Sequence, residues 1–259
     1  MRNLSFMNSN LIGYSLKFQF EPDDTTLLNH YFRYYSIGEI KLNQETLESV
    51  YFDNILLYLK EHHPQKISFH LPNDIFSNDE AFLKYLPLIQ CKFSNYIPSY
   101  YVAHYPPALN EDIIVKRIYS LLMCLPKGSY ILLENDKNVS LNEFAVAFKI
   151  CEHFGRNSSV GICFDIGHAL FYCQNERKII SFLSDTQKEK FIHEWHLHNV
   201  LNERDHQAFD LVSCQGALLT HVLATPSKNQ RYILELKKID PFSKAGISQL
   251  NMIDPSRKQ

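Results

Sequence analysis

Side chains that can bind metal recur near the ends of short apolar runs in this sequence of 259 residues. Histidine follows the run in SFHLP, glutamate the run in LLEN, and aspartate and histidine stand together in FDIGH. Imidazole and carboxylate groups together suit Zn, Mn or Fe better than Ca or a structural zinc–thiolate site. The full set comprises His70, His104, Glu134, Asp165, His168, His196, His206 and Glu235.

Taken alone, each of these residues has an ordinary explanation, because a strand histidine is usually a hydrogen-bonded core residue. The combination is harder to explain in that way. Burying Glu134, Asp165 and Glu235 in apolar strands costs several kcal/mol each unless opposite charge compensates. A divalent cation would compensate directly, so the pattern predicts metal binding. His198 is two residues from His196 and therefore on the same strand face, and the spacing does not decide which one is the ligand.

The elements that must position these residues alternate between strand-like and helix-like segments. Apolar residues at helical spacing predict helices over Glu45–Glu61, Asp79–Leu88, Ile113–Leu125 and Leu141–Phe154. Eight strands are predicted at Ile12–Phe18, Ile37–Leu42, Lys66–Leu71, Tyr100–Tyr105, Tyr130–Glu134, Val160–Asp165, Trp195–Val200 and Tyr232–Leu236.

Eight βα units of roughly 30 residues each predict an α/β fold, the (β/α)8 TIM barrel, as a single domain over residues 1–259. A doubly wound open sheet is the rival fold, but no G-x-G-x-x-G follows the first strand. In a TIM barrel the chemistry sits where the strands end. The predicted ligands would therefore meet at one mouth of the barrel.

Composition and charge narrow the classes of partner that the protein is expected to bind. The net charge is −2, which gives no general attraction to nucleic acid. None of the six cysteines forms C-x-x-C, so free thiols are expected. The N-terminus has no secretory h-region and no apolar run reaches 18 residues, so we expect a cytoplasmic protein without membrane spans. The expected partner is a small-molecule substrate.

The order of the motifs resembles the xylose-isomerase-like TIM barrels, a superfamily that includes sugar isomerases, epimerases and endonuclease IV. HLP, HYP, EN, DIGH, HLHN and LEL follow in the order of that superfamily from about Tyr14 to Glu235. Within it, CFDIGHALFY, HLHNVLNERDHQAF and HLPNDI are most similar to the cobamide-remodelling phosphodiesterases (CbiR). That resemblance implies hydrolysis of the nucleotide-loop phosphodiester of adenosylcobamides to adenosylcobinamide phosphate and α-ribazole.

The resemblance also implies roles for individual residues. Glu134, Asp165, His196 and Glu235 would form a central metal site, and His70 and His104 would join Glu134 on a second metal. His168 and His206 would hold a third metal. Endonuclease IV has an aspartate two residues before the last histidine, where this chain has Arg204, and the neighbouring acid is Asp205. The implied cofactors are therefore two or three divalent ions, Zn, Mn or Fe.

In the phosphodiesterase interpretation Glu134 is a catalytic bridging carboxylate, Glu235 or Asp205 orients the attacking water, and Arg204 is available to a substrate phosphate. Three alternatives stay open. One is a catalytically inactive metal-binding or interaction barrel, which the loss of an essential ligand would favour, and no such loss is evident in the sequence. A sugar isomerase or epimerase needs one metal, with Glu134, Asp165, His196 and Glu235 as ligands and the glutamates moving protons. An endonuclease IV-like nuclease for apurinic sites is disfavoured by the near-neutral charge, because DNA affinity rests largely on phosphate neutralisation.

Overall fold

Eight parallel strands close into a barrel in the computed structural model, which describes residues 12–16, 24–63, 66–106, 109–155, 159–184, 186–201, 204–208, 216–224, 231–236 and 241–253. Each barrel strand pairs with its neighbours in chain order, and the last strand pairs with the first. The barrel strands are β1 (Ile12–Leu16), β2 (Ile37–Lys41), β3 (Ile67–His70), β4 (Tyr100–His104), β5 (Tyr130–Glu134), β6 (Val160–Asp165), β7 (Ile192–Leu197) and β10 (Arg231–Leu234). The predicted TIM barrel is confirmed and the open doubly wound sheet is excluded.

Helices connect the strands and cover the barrel. They are α1 (Asp24–Tyr31), α2 (Gln44–Glu48), α3 (Val50–His62), α4 (Asp79–Phe93), α5 (Glu111–Cys124), α6 (Leu141–Phe154), α7 (Ile166–Cys173), α8 (Glu176–Leu183), α9 (Thr186–Glu189), α10 (Gly216–Ala224) and α11 (Lys244–Ile253). The major apolar core lies between these helices and the outward strand faces. None of the helices in the described ranges is both long and apolar enough to cross a membrane.

Polar side chains cap the starts of several helices. Asn78, Asn110 and Asn175 each accept a backbone N–H of the first turn of α4, α5 and α8 respectively. Ser140 forms a capping box with Glu143 at the start of α6. These caps follow directly from the sequence and fix where each helix begins.

One predicted helix is two helices in the structure. The predicted segment Glu45–Glu61 divides at Ser49, whose extended backbone (φ −70°, ψ 131°) ends α2. The Ser49 side chain then accepts the N–H of Tyr51 and begins α3. The apolar spacing continues through Ser49, so the sequence pattern predicts one helix. Serine is tolerated within helical patterns, and the boundary is recognised only from the cap geometry in the structure.

The sequence pattern places the seventh strand wrongly. The prediction Trp195–Val200 is corrected to β7 at Ile192–Leu197, followed by a separate antiparallel pair, β8 (Asn199–Leu201) and β9 (Arg204–Gln207). Glu194 gives the segment a polar appearance, but its side chain is fully buried inside the barrel. The eighth barrel strand also ends earlier than the pattern predicts, so Glu235 lies just past β10 rather than within it.

The inside of the barrel is unusually polar. Successive side chains of a strand point to opposite faces, so the residues that share a face with a site residue lie two positions away. Below the site, Val102, Leu132 and Cys163 make a small apolar cluster, with Tyr100 and Tyr130 packed against it. Ile37 and Ile233 are buried on the same strand faces as Glu39 and Arg231. Buried polar or charged residues on or next to the barrel strands include Glu39, Ser68, His70, Glu134, Asp165, Glu194, His196, Arg231 and Glu235.

Candidate metal centre

Glu134 lies at the centre of the candidate site. It ends β5, where it pairs in register with His104 of β4 and Cys163 of β6, and its side chain is fully buried. Its Oε2 lies 2.9 Å from His70 Nε2 and 3.2 Å from His104 Nε2. Potential ligand atoms of His70, His104 and Glu134 lie within 4.8 Å of one another, close enough to share one ion.

The second ring nitrogen of each of these histidines has a protein partner. His70 Nδ1 lies 2.9 Å from the Leu71 carbonyl, to which only a protonated nitrogen can donate. His104 Nδ1 lies 3.2 Å from Asp136 Oδ2. Such contacts fix the tautomer of a metal-binding imidazole and direct its Nε2 toward the metal. Both histidines are thus oriented with Nε2 toward Glu134.

A backbone clamp fixes Asp165 at the end of β6. The Asn135 amide donates to the Asp165 carbonyl at 2.8 Å, and the Asp165 N–H donates to Asn135 Oδ1 at 2.9 Å. The Asp165 carboxylate also accepts the His168 N–H at 2.8 Å and caps α7. Because Asn135 directly follows Glu134 at the end of β5, these hydrogen bonds couple the positions of Glu134 and Asp165.

Three histidines form a second group on the other side of Asp165. His168 Nδ1 lies 2.9 Å from the Asn135 carbonyl, and His198 Nε2 lies 3.0 Å from Asp165 Oδ1. The rings of His198 and His206 stack with centroids 4.2 Å apart. Potential ligand atoms of His168, His198 and His206 also lie within 4.8 Å of one another.

The backbone around this histidine group is under tight constraint. His206 adopts a left-handed conformation (φ 55°), which costs a non-glycine residue on the order of 1–3 kcal/mol. Its N–H donates to His198 Nδ1 at 2.9 Å, and its Nε2 lies 3.1 Å from Glu235 Oε2. A Cβ at Gly167 would overlap the His198 ring, so glycine is required there. The β8–β9 pair thus holds His206 over the barrel mouth.

His196 lies deeper, with acidic groups at both ring nitrogens. Its Nδ1 is 2.9 Å from Glu134 Oε1 and 3.4 Å from Glu235 Oε1. Its Nε2 is 3.0 Å from Glu39 Oε2 and 3.4 Å from Glu194 Oε1. An imidazole with one nitrogen toward potential metal ligands and the other donating to a carboxylate is the usual arrangement of a metal-binding histidine.

Sequence reasoning missed several charged residues of this region. Glu39 in β2 and Glu194 in β7 are fully buried, and Arg231 donates to Glu194 Oε2 at 2.7 Å. Lys41 Nζ lies 2.8 Å from Glu235 Oε1. Glu39 and Lys41 share the inward face of β2. The sequence search considered charged residues only at the ends of apolar strands, and a search along whole strands would have found Glu39 and Lys41.

Charge compensation keeps the buried carboxylates ionised without metal. Burial alone would raise the pKa of Glu134, but His196, His104 and His70 hold it well below its usual range. Burial likewise opposes ionisation of Glu235, and Lys41 and His196 lower its pKa well below the usual value.

The pKa values of His104, His196 and His198 shift in the opposite direction, whereas burial lowers the pKa of His168. Burial lowers the pKa of His104, but Glu134 and Asp136 raise it to about 10. The acidic groups around His196, foremost Cys163 and Glu39, overcome burial and raise its pKa well above the usual range. A metal ion binding to these nitrogens would displace protons, because ligating imidazole must be neutral.

The structure brings the predicted ligands together at the barrel mouth. All eight, His70, His104, Glu134, Asp165, His168, His196, His206 and Glu235, take part in the contacts given above. The Asp205 side chain lies outside the described part of the chain. Arg204 is exposed on β9. Tyr14 and Tyr105 are buried in the core.

A cavity of about 280 Å³ opens above the ligand groups. Its lining includes His104, His168, His206, Glu235 and Asp136, together with Ser15, Lys41, Asn73, Lys137 and Leu236. The histidine and carboxylate groups among them offer nitrogen and oxygen donors, the set expected for Zn, Mn or Fe, so the residues present fit a divalent metal.

Fold and site together define a TIM barrel with a cluster of potential metal ligands at the carboxyl ends of its strands. Among solved structures the chain is similar to endonuclease IV from Thermus thermophilus, with a TM-score of 0.66 and 15% sequence identity. The match covers 95% of this chain and 99% of that one. At that identity the likeness shows the fold. No family model matches the chain, and no curated protein sequence matches it.

Proposed function

We propose that this protein is a metal-dependent phosphodiester hydrolase that uses two or three divalent ions. The observation that carries the proposal is the number of ligand groups around Glu134. His70 and His104 face one of its oxygens, His196 faces the other, and the group of His168, His198 and His206 lies beyond Asp165. Two ions held on either side of a shared carboxylate suit in-line displacement at phosphorus.

The one-metal alternative leaves much of this site without a role. A sugar isomerase or epimerase would need Glu134, Asp165, His196 and Glu235. It would not need His70 and His104 with their Nε2 atoms turned toward Glu134, nor the constrained backbone of His206. Structures are rarely strained without compensation, and such strain concentrates at functional sites.

Within the proposal, the chain's own residues divide into three roles. Glu134 would be the carboxylate shared between ions, with His70 and His104 as ligands on one side and Asp165, His196 and Glu235 on the other. Glu235, with Asp205 as the alternative, orients the attacking water. Metal ions bound here would lower the pKa of water and neutralise charge on the leaving oxygen.

The proposed substrate is the nucleotide-loop phosphodiester of an adenosylcobamide, giving adenosylcobinamide phosphate and α-ribazole. Its support is the similarity of the segments CFDIGHALFY and HLHNVLNERDHQAF to the cobamide-remodelling phosphodiesterases. A cavity of about 280 Å³ is at the small end for ligand sites, so it would take the phosphodiester while most of a cobamide lay outside. The endonuclease IV fold leaves apurinic-site DNA as the second substrate to test.

The test combines metal analysis with a product assay. Protein loaded with Zn, Mn or Fe is incubated with adenosylcobalamin, and α-ribazole is sought by chromatography. Duplex DNA carrying an apurinic site is incubated in parallel. We expect α-ribazole release, at least two metal ions per chain and no DNA cleavage.

A variant pair identifies the site responsible. Glu134→Gln should lose turnover by at least about 10³-fold, because metal-bridging charge is removed where most of the catalytic effect arises. The matched control, Glu152→Gln, removes an exposed carboxylate from α6 and should retain full activity. A metal content of one per chain with no release of α-ribazole would favour the isomerase and overturn the proposal.

A further inference from the structure

The cavity above the ligand groups is lined by a lysine that is also the counter-ion of a proposed metal ligand. Lys41 ends β2, in register with His70 of β3, and its side chain points inward on the same face as Glu39. The Lys41 side chain is 33% exposed, whereas that of its partner Glu235 is 2% exposed. Its ammonium therefore lies at the boundary between the buried carboxylates and the cavity.

Lys41 lies beside a buried carboxylate, with its Nζ 2.8 Å from Glu235 Oε1. An ammonium has three N–H donors, and no more than one of them can point at Glu235 Oε1. The remaining donors are available to an anion in the cavity, which Lys137 also lines.

The partner of Lys41 is itself a proposed metal ligand. When the Glu235 carboxylate shares its charge with a cation, it compensates less of the charge on the neighbouring ammonium. A partly buried ammonium then favours a further anion nearby, since uncompensated buried charge costs several kcal/mol. A phosphate oxygen in the cavity would supply that charge at hydrogen-bonding distance.

We propose that Lys41 is an anion-binding residue of the substrate site, which holds a non-bridging oxygen of a phosphate or phosphodiester group next to the metal ligands. The inference rests on the proposed function of the same site, because it names a group that the substrate must carry. The proposal gives Lys41 of β2 a role in substrate recognition that is separate from metal binding.

The test measures binding of inorganic phosphate to metal-loaded protein by calorimetry, without turnover. We expect Lys41→Met to weaken phosphate binding by about 10-fold or more, and Lys41→Arg to restore most of it. Lys116→Met is the matched control, since it removes one exposed lysine from α5 and should bind phosphate like the wild type. Metal content is measured for each protein before titration.

Two outcomes overturn the inference. One is phosphate binding by fully metal-loaded Lys41→Met that equals the wild type. The other is a Lys41→Met protein that folds but cannot be loaded with metal, which would make Lys41 only a counter-ion for Glu235. The result is independent of the proposed reaction: phosphate binding through Lys41 in a protein that cleaves no phosphodiester would keep the anion site and end the hydrolase proposal.

Discussion

At the scale of single residues, the site is built from pairs in which one group orients another. Asn135 clamps Asp165, Asp136 orients His104, and Glu39 faces the inner nitrogen of His196. Partners of this kind set the tautomer and basicity of a metal ligand. The residues behind the ligands are therefore expected to matter almost as much as the ligands themselves.

Glu39 provides the sharpest test of this idea. Glu39→Gln removes the charge that lies 3.0 Å from His196 Nε2, while its Oε1 counterpart can still meet the Ser15 hydroxyl. We expect metal affinity to fall by about 10-fold or more, within the roughly 10–100-fold range typical of such partners. Competition with a chromophoric chelator measures it.

The exposed Glu152→Gln variant serves again as the control for Glu39→Gln and should bind metal like the wild type. A Glu39→Gln protein with unchanged metal affinity would show that His196 does not depend on Glu39 for its orientation. A fall in melting temperature without any change in affinity would assign Glu39 a purely structural role.

At the scale of elements, the turn from β6 into α7 depends on a glycine. Gly167 lies against the ring of His198, and a methyl group there would overlap that ring. Gly167→Ala should displace His198 from Asp165 and disturb the group it forms with His168 and His206. We expect fewer bound metal ions per chain and a loss of stability of about 1–3 kcal/mol from overpacking.

Gly161 in the preceding strand, β6, offers a matched control. A methyl group at Gly161 would overlap the ring of His193, which lies outside the ligand groups. Gly161→Ala should therefore lower stability to a similar extent but keep the full metal count. Elemental analysis and thermal melting of both variants separate the two effects. Equal metal content in Gly167→Ala and Gly161→Ala would contradict the role given to α7.

The sequence predicts an element correctly where the residues at its ends carry a clear boundary signal. The strands β5 and β6 and the helix α6 have the predicted bounds, because apolar runs there end at clear polar or cap residues such as Ser140. The pattern misplaces β7 because Glu194 points into a polar interior, which a pattern of apolar residues cannot register. The pairing of Glu39 with His196 joins residues far apart in the chain, so only the closed barrel reveals it.

At the scale of the whole molecule, the barrel interior carries an unusual load of buried charge. Glu39, Glu134, Asp165, Glu194 and Glu235 are all at most 3% exposed. Removing one partner from such a network leaves an uncompensated buried charge, which typically costs about 3–5 kcal/mol. The metal-free protein relies on histidines, Lys41 and Arg231 for compensation, and divalent ions would provide it more directly.

Metal removal should therefore destabilise the fold as a whole. A ligand present at about 100 times its Kd stabilises the native state by about 2.7 kcal/mol. For a domain of this size, that corresponds to a rise in Tm of roughly 5–10 °C. We expect the wild-type protein to have a lower Tm after dialysis against a chelator and to regain its Tm when Zn or Mn is restored.

The Glu134→Gln variant should lose most of this difference in Tm, because the charge of Glu134 is shared among the ligand groups, whereas Glu152→Gln should keep it. A wild-type Tm that is the same with and without metal would mean that the protonated histidines already balance the buried carboxylates, and that the barrel does not need an ion to hold its interior charges.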